Sequence, residues 1–120
     1  MKNILVIDDD RIVRALLTKL LELSEYQVEY AENKVTAINT ILHSEYDLIV
    51  MDYNLGEIKA PELLKEMEKA DIIKPVIVIS GTDGDELELI KDSYNVRNIL
   101  RKPFANRELI EMINSVLKRL

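Results

Sequence analysis

The sequence predicts an α/β domain: a doubly wound, five-stranded parallel sheet in the order 2-1-3-4-5, with five helices. Three observations carry this expectation. The runs Ile4-Leu5-Val6-Ile7, Leu48-Ile49-Val50-Met51 and Val76-Ile77-Val78-Ile79 are almost wholly aliphatic. They are too short for buried helices and rich in β-branched residues, as strands covered on both faces are. Two other runs, Gln27–Ala31 and Asn98–Arg101, mix polar and apolar residues or carry charge, the composition of exposed edge strands. A helical pattern follows every strand, and such alternation defines a doubly wound domain.

Each element has its own signal. After the first strand, Val13, Leu16, Leu17, Leu20 and Leu23 recur at helical spacing. Asp10 suits the cap of that helix, because aspartate favours the positive N-terminal end. Val35, Ile38 and Leu42 mark a second helix, with His43 facing solvent near its end. Leu63, Leu64 and Met67 mark a third, and Pro61 fits its first turn. Leu87, Ile90 and Tyr94 mark a fourth. The fifth is the clearest: Leu109, Met112, Ile113, Val116, Leu117 and Leu120 with charges between them, and Asn106 as the expected cap. The apolar strands belong in the middle of the sheet and the mixed ones at its edges.

Composition narrows the function. The chain has 120 residues, read as one domain over 1–120, a length that buries roughly two-thirds of the unfolded surface. There is no cysteine and one histidine, which excludes a disulfide scaffold, a thiolate zinc site and a histidine-rich metal site. Acids outnumber bases 22 to 16, for a net charge of −6, a balance that disfavours direct nucleic-acid binding. Four apolar residues near the N-terminus are too few for a signal peptide or a spanning helix. The expected location is the cytoplasm, with no membrane contact.

Ligands of open parallel sheets bind at the carboxyl ends of the strands, near the point where strand order reverses. Those ends carry Asp8-Asp9-Asp10, Asp52 with Tyr53 and Asn54, Ser80-Gly81 and Arg101-Lys102-Pro103. Asp8, Asp9, Asp52, Ser80 and Lys102 therefore converge on one rim. Crowded carboxylates raise a pKa unless a cation sits among them. Oxygen donors alone select magnesium, manganese or calcium, and magnesium recruits phosphate oxygens as well. The rim thus suits a divalent ion and a phosphoryl group, with one carboxylate as nucleophile and with Lys102 and Ser80 on the remaining phosphoryl oxygens.

These residues resemble the response regulator receiver domain of two-component signalling, close to the stand-alone chemotaxis and sporulation regulators, with a flavodoxin-like fold. The matching segments are Ile4–Asp10, Asp47–Leu55, Pro75–Gly81 and Arg101–Phe104, in order and over essentially the whole chain. The resemblance implies that Asp52 is the phosphoacceptor. It implies a Mg2+ site of Asp9, Asp8 largely through water, Asp52 and the main-chain carbonyl of Asn54. It gives Ser80 and Lys102 the sensing of the acyl phosphate, has Gly81 leave room for that movement, and often makes the Lys102–Pro103 bond cis. It implies a sensor histidine kinase or phosphotransfer protein as donor, and an output domain or effector protein as reader. The chain would be a monomer or a phosphorylation-dependent dimer, and a signalling phosphoacceptor rather than an enzyme, catalysing only its own phosphotransfer and dephosphorylation.

The sequence departs from the family pattern in three places. Gly56 stands where proline is usual, Lys59-Ala60 where Asp-Gly is usual, and Ile99 where an aromatic residue often switches. Gly81 and Gly84 should make the loop from Gly81 to Asp85 easy to rearrange. Rival readings fit less well. A magnesium phosphohydrolase would need a second acid where Asn54 stands and a cap for which no length is spare. A flavin-binding domain would meet repulsion from three aspartates. A phosphorylation-independent interaction module leaves the site residues unexplained. Tyr53 is expected at the mouth of the site or as an ordinary partly exposed tyrosine.

Overall fold

The computed structural model describes residues 1–81 and 85–118, with the backbone alone for 85–87. Strands β1 (Asn3–Ile7), β2 (Gln27–Ala31), β3 (Leu48–Asp52), β4 (Val76–Ser80) and β5 (Val96–Arg101) alternate with five helices. These are α1 (Arg11–Leu23), α2 (Lys34–His43), α3 (Ala60–Lys69), α4 (Asp85–Ile90) and α5 (Asn106–Leu117). The sheet is parallel in the order β2-β1-β3-β4-β5, as the sequence predicts.

The aliphatic runs lie in the centre because both of their faces are covered. Leu5, Ile7, Ile49, Met51, Val76 and Val78 pack on one side with Ala37 and Ile41 of α2, Leu63, Leu64 and Met67 of α3 and Ile90 of α4. Ile4, Val6, Val50, Ile77 and Ile79 pack on the other with Leu17 and Leu21 of α1 and Leu109 and Ile113 of α5. Alternate residues of one strand thus serve two cores, the period-two rule of a pleated strand. Burying such side chains contributes roughly 1.5–3 kcal/mol each before entropy is counted.

Several helix faces differ from expectation. In α1 the buried positions are Arg14, Leu17 and Leu21, while Leu16 and Leu23 are 66% and 74% exposed. The Arg14 guanidinium donates to the Asp8 carbonyl and to Glu32 Oε2, both at 3.0 Å, and lies over the Tyr30 ring, so an arginine joins Leu17 and Leu21 on the buried face, with Val13 and Leu20 beside them. In α2, Ala37 and Ile41 are buried and Val35 is exposed. Tyr94 lies beyond α4 and is exposed. The Leu87 side chain and Leu120 lie outside the described residues.

Asp10 caps α1, accepting from the Ile12 and Val13 N–H groups. Asn106 is not a cap; it is the first residue of α5, after Ala105, whose N–H is satisfied by Glu108 Oε1 at 3.0 Å. β5 begins two residues early, at Val96, because a register shift lets Arg97 interrupt the alternation. His43 ends α2 in solvent, and Met67 and Met112 belong to the cores.

Candidate functional site

Sheet register sets the rim. Ile7 pairs with Met51, Asp52 with Ile79, and Ser80 with Arg101. The residues just past β1 and at the ends of β3 and β4 are therefore level, and Lys102 follows directly on β5. Asp8, Asp9, Asp10, Val13, Asp52, Tyr53, Asn54, Gly81 and Lys102 line one hollow of about 280 Å³. Larger depressions lie elsewhere, one of about 610 Å³ running from Met1 to Tyr46, but none gathers these acids.

Asp52 closes β3 with its side chain only 12% exposed. Lys102 Nζ donates to its Oδ2 at 2.8 Å, and the Asn54 N–H donates to its Oδ1 at 3.1 Å. Both carboxylate oxygens therefore have a donor. Burial alone would lower the Lys102 pKa; the Asp52 hydrogen bond and the charges of Asp52, Asp8 and Asp10 outweigh it and hold the pKa above the ordinary lysine value. The Lys102–Pro103 peptide is cis, and the Lys102 N–H donates to the Ser80 carbonyl at 2.9 Å.

Asp8 is 2% exposed. Burial is the main reason its pKa rises to about 6, with the charges of Asp52 and Asp9 adding to the rise; the Asp10 N–H on Oδ1 and the Lys102 charge oppose it. Asp9 is exposed and its carboxylate lies against Gly56. Ser80 is fully buried at the end of β4. A Cβ at Gly81 would meet the Lys102 stem at 3.8 Å, an ordinary contact, so the local backbone has room beside the lysine.

Tyr53 differs from its expected exposure. It lines the hollow yet is 2% exposed, in the core with Leu55, Ile58 and Ala60. Its neighbours form a feature the sequence reading missed. Leu55 N–H donates to the Ile58 carbonyl, Ala60 N–H donates to the Tyr53 carbonyl, and Asn54 pairs antiparallel with Lys59. Gly56 and Glu57 are thus the two central residues of a hairpin turn, and Gly56 has φ +80°. Two-residue hairpins favour turns with positive φ at the first central position, where glycine fits without strain. Proline, fixed near −65°, cannot take that position. A Gly followed by one polar residue between apolar Leu55 and Ile58 was the available signal.

The donors in the hollow are hard oxygens, the set magnesium prefers. Among the described residues no three acidic or histidine side chains are disposed to hold a metal by themselves. Magnesium fits such a set because it takes one or two carboxylates and retains water.

The model of the response regulator receiver domain matches residues 4–114. The chain belongs to this family. Receiver domains are signalling modules of two-component systems, in which response regulators work with histidine kinases and output domains, and they typically bind Mg2+ at the phosphorylation site. This receiver domain is 33% identical over 119 residues to a transcriptional regulatory protein CpxR homolog of Haemophilus influenzae, covering 99% of this chain and 52% of that protein. It is 29% identical to the response regulator MprA of a Mycobacterium species, covering 98% of this chain and 51% of that protein. The chain thus spans about half the length of these curated relatives. Among solved structures, the receiver domain of a Francisella response regulator superposes with a TM-score of 0.88 at 30% identity, covering 99% and 98% of the two chains. A CheY-like receiver domain protein from Methanospirillum hungatei superposes with a TM-score of 0.88 at 25% identity, covering 98% and 94%. Among the described residues no helix is long and apolar enough to cross a membrane.

Proposed function

We propose that this receiver domain accepts a phosphoryl group on Asp52 from a phosphohistidine of a sensor kinase or phosphotransfer protein, and that a partner or output domain reads the resulting change. The observation that carries the reading is the Asp52 carboxylate at the end of β3, held by Lys102 and the Asn54 N–H in the hollow shared with Asp8 and Asp9. One Asp52 oxygen attacks phosphorus as the phosphorus–nitrogen bond breaks. The electron pair returns to the imidazole, which takes up a proton from solvent, and an acyl phosphate remains. Water later attacks phosphorus, the bond from phosphorus to the Asp52 oxygen breaks, and the free carboxylate and inorganic phosphate are left. Both reactions act on the chain itself, so its role is that of a signalling phosphoacceptor, for which we propose the cytoplasm as the location.

Asp8, Asp9, Asp52 and the Asn54 carbonyl would hold Mg2+. When bound, the ion offsets carboxylate repulsion and phosphoryl charge. The phosphoryl group carries about −1.5 to −2 and leaves the site roughly one charge more negative than the free carboxylate. Lys102 then follows the phosphoryl oxygens, and the Ser80 hydroxyl supplies a further donor. The whole of residues 1–120 serves as one receiver unit.

Acetyl phosphate with Mg2+ is expected to add one phosphoryl mass to the protein, measured intact, and Asp52→Asn is expected to abolish it. An undiminished shift in Asp52→Asn would place the acceptor elsewhere.

A further inference from the structure

Resting on the phosphoacceptor reading of Asp52, we propose that Lys59 is a second phosphoryl-binding cation, carried to the rim by the Leu55–Ile58 hairpin.

The hairpin fixes where Lys59 stands. Its backbone pairs with Asn54, it is the residue that precedes α3, and its N–H donates to Glu62 Oε1 at 3.4 Å. Leu55, Ile58 and Ala60 anchor the turn in the core at 4%, 3% and 0% exposure. Gly56 makes the turn possible with φ +80°. The departures from the family pattern at Gly56, Lys59 and Ala60 are therefore parts of one local device.

That device puts an ammonium on Asn54, a residue that lines the hollow with Asp52. Lys59 Nζ lies 3.3 Å from Asn54 Oδ1, and the Asn54 N–H is on Asp52 Oδ1. Lys102 holds the other oxygen, Oδ2. The acceptor carboxylate is thus flanked by one cation through direct contact and by a second through the adjacent asparagine. Among the described residues no carboxylate forms an ion pair with Lys59. Glu57 Oε1 accepts from the Lys34 N–H at the start of α2, and Glu62 accepts from the Lys59 main chain. An amide oxygen carries no net charge, so Lys59 is free to exchange it for phosphoryl oxygens, whose negative charge adds Coulombic attraction to the hydrogen bond.

A rim cation has two effects of opposite sign. It attracts the anionic phosphoryl donor and repels the divalent cation. A residue that merely held the loop together would, when lost, weaken both. Wild type, Lys59→Ala, Lys59→Arg and Lys59→Asp would be compared by isothermal titration with Mg2+ alone and by intact-mass labelling rates with acetyl phosphate at saturating Mg2+. Lys59→Ala is expected to label about threefold more slowly and to bind Mg2+ about twofold more tightly, the scale of one exposed, partly screened charge. Lys59→Asp should exaggerate both changes, Lys59→Arg should match wild type, and added salt should narrow the labelling difference. A wild-type labelling rate in Lys59→Ala, or loss of both labelling and Mg2+ affinity, would overturn the proposal while leaving the Asp52 reading intact. Absence of label in the wild type would overturn both.

Discussion

At the scale of the residue, Asp8 is a carboxylate held in an environment that disfavours its charge. It is 2% exposed beside Asp9 and Asp52, and its pKa rises to about 6, chiefly through burial. Without a divalent ion, the folded chain holds the Asp8 proton more tightly than the unfolded chain does. The sign follows from linkage: the native state binds more protons between about pH 4 and 6, so the contribution of Asp8 to stability falls as pH rises through that window. Above it, both states are ionised and the folded state carries the full cost. Asp8→Asn keeps an acceptor for the Asp10 N–H and removes the charge. In a chelator at pH 7 it is expected to be more stable than wild type by about 1–2 kcal/mol, an advantage that fades towards pH 4. Urea unfolding at pH 4, 5.5 and 7 measures this, and equal midpoints at pH 7 would contradict the burial argument.

At the scale of the element, the turn between β3 and α3 departs furthest from the sequence reading. Gly56 combines φ +80° with a position where an added Cβ would meet Asp9 Oδ2 at 2.8 Å. Gly56→Ala is therefore expected to lower stability by about 1–2 kcal/mol, and Gly56→Pro by more, since its ring forbids that φ. Matched urea unfolding curves for wild type and Gly56→Ala would refute a strained turn. The contrast with the strands shows what was legible. Val76–Ile79 could be read because burial on both faces leaves an uninterrupted aliphatic run. The rim followed from it, since the residue after each strand is fixed once the strand is. In α1, Val13, Leu17 and Leu20 face the core as expected while Leu16 and Leu23 do not; burial of Arg14 was not legible, because its partners Asp8 and Glu32 lie 6 and 18 residues away, where periodicity cannot see them. The α5 cap was misplaced because the helix starts one residue early: Ala105 is the capping position, with its own N–H on Glu108, and Asn106 is already the first helical residue. The hairpin is not legible position by position, because Gly56, Lys59 and Ala60 make sense only together, as a turn and the strand and helix start it joins.

At the scale of the whole molecule, the phosphorylation proposed at Asp52 needs a route to a distant surface. β5 is the direct connection, since Lys102 follows its last residue and bonds Asp52. Neighbouring residues of β5 face opposite cores. Ile99 packs on the side that holds Ile90 of α4, and Leu100 packs on the side that holds Leu109 and Ile113 of α5. A displacement of the Lys102 end of the strand is therefore felt by two helices at once. This supports α4, β5 and α5 as the output face, even though Ile99 offers no hydroxyl and no ring to swing. The Gly81–Asp85 loop expected to move with them has residues 82–84 outside the described residues. Fluoroberyllate with Mg2+ mimics the acyl phosphate, and amide hydrogen exchange reports local opening along the chain. Exchange is expected to change across residues 85–101 and at the start of α5. Ile99→Val, which removes one methylene from a partly buried site at a cost of about 1 kcal/mol, should still take label on Asp52 but show a smaller change in α4. Exchange changes confined to α1 and α2, or an α4 response undiminished in Ile99→Val, would show that the signal leaves the site by another route.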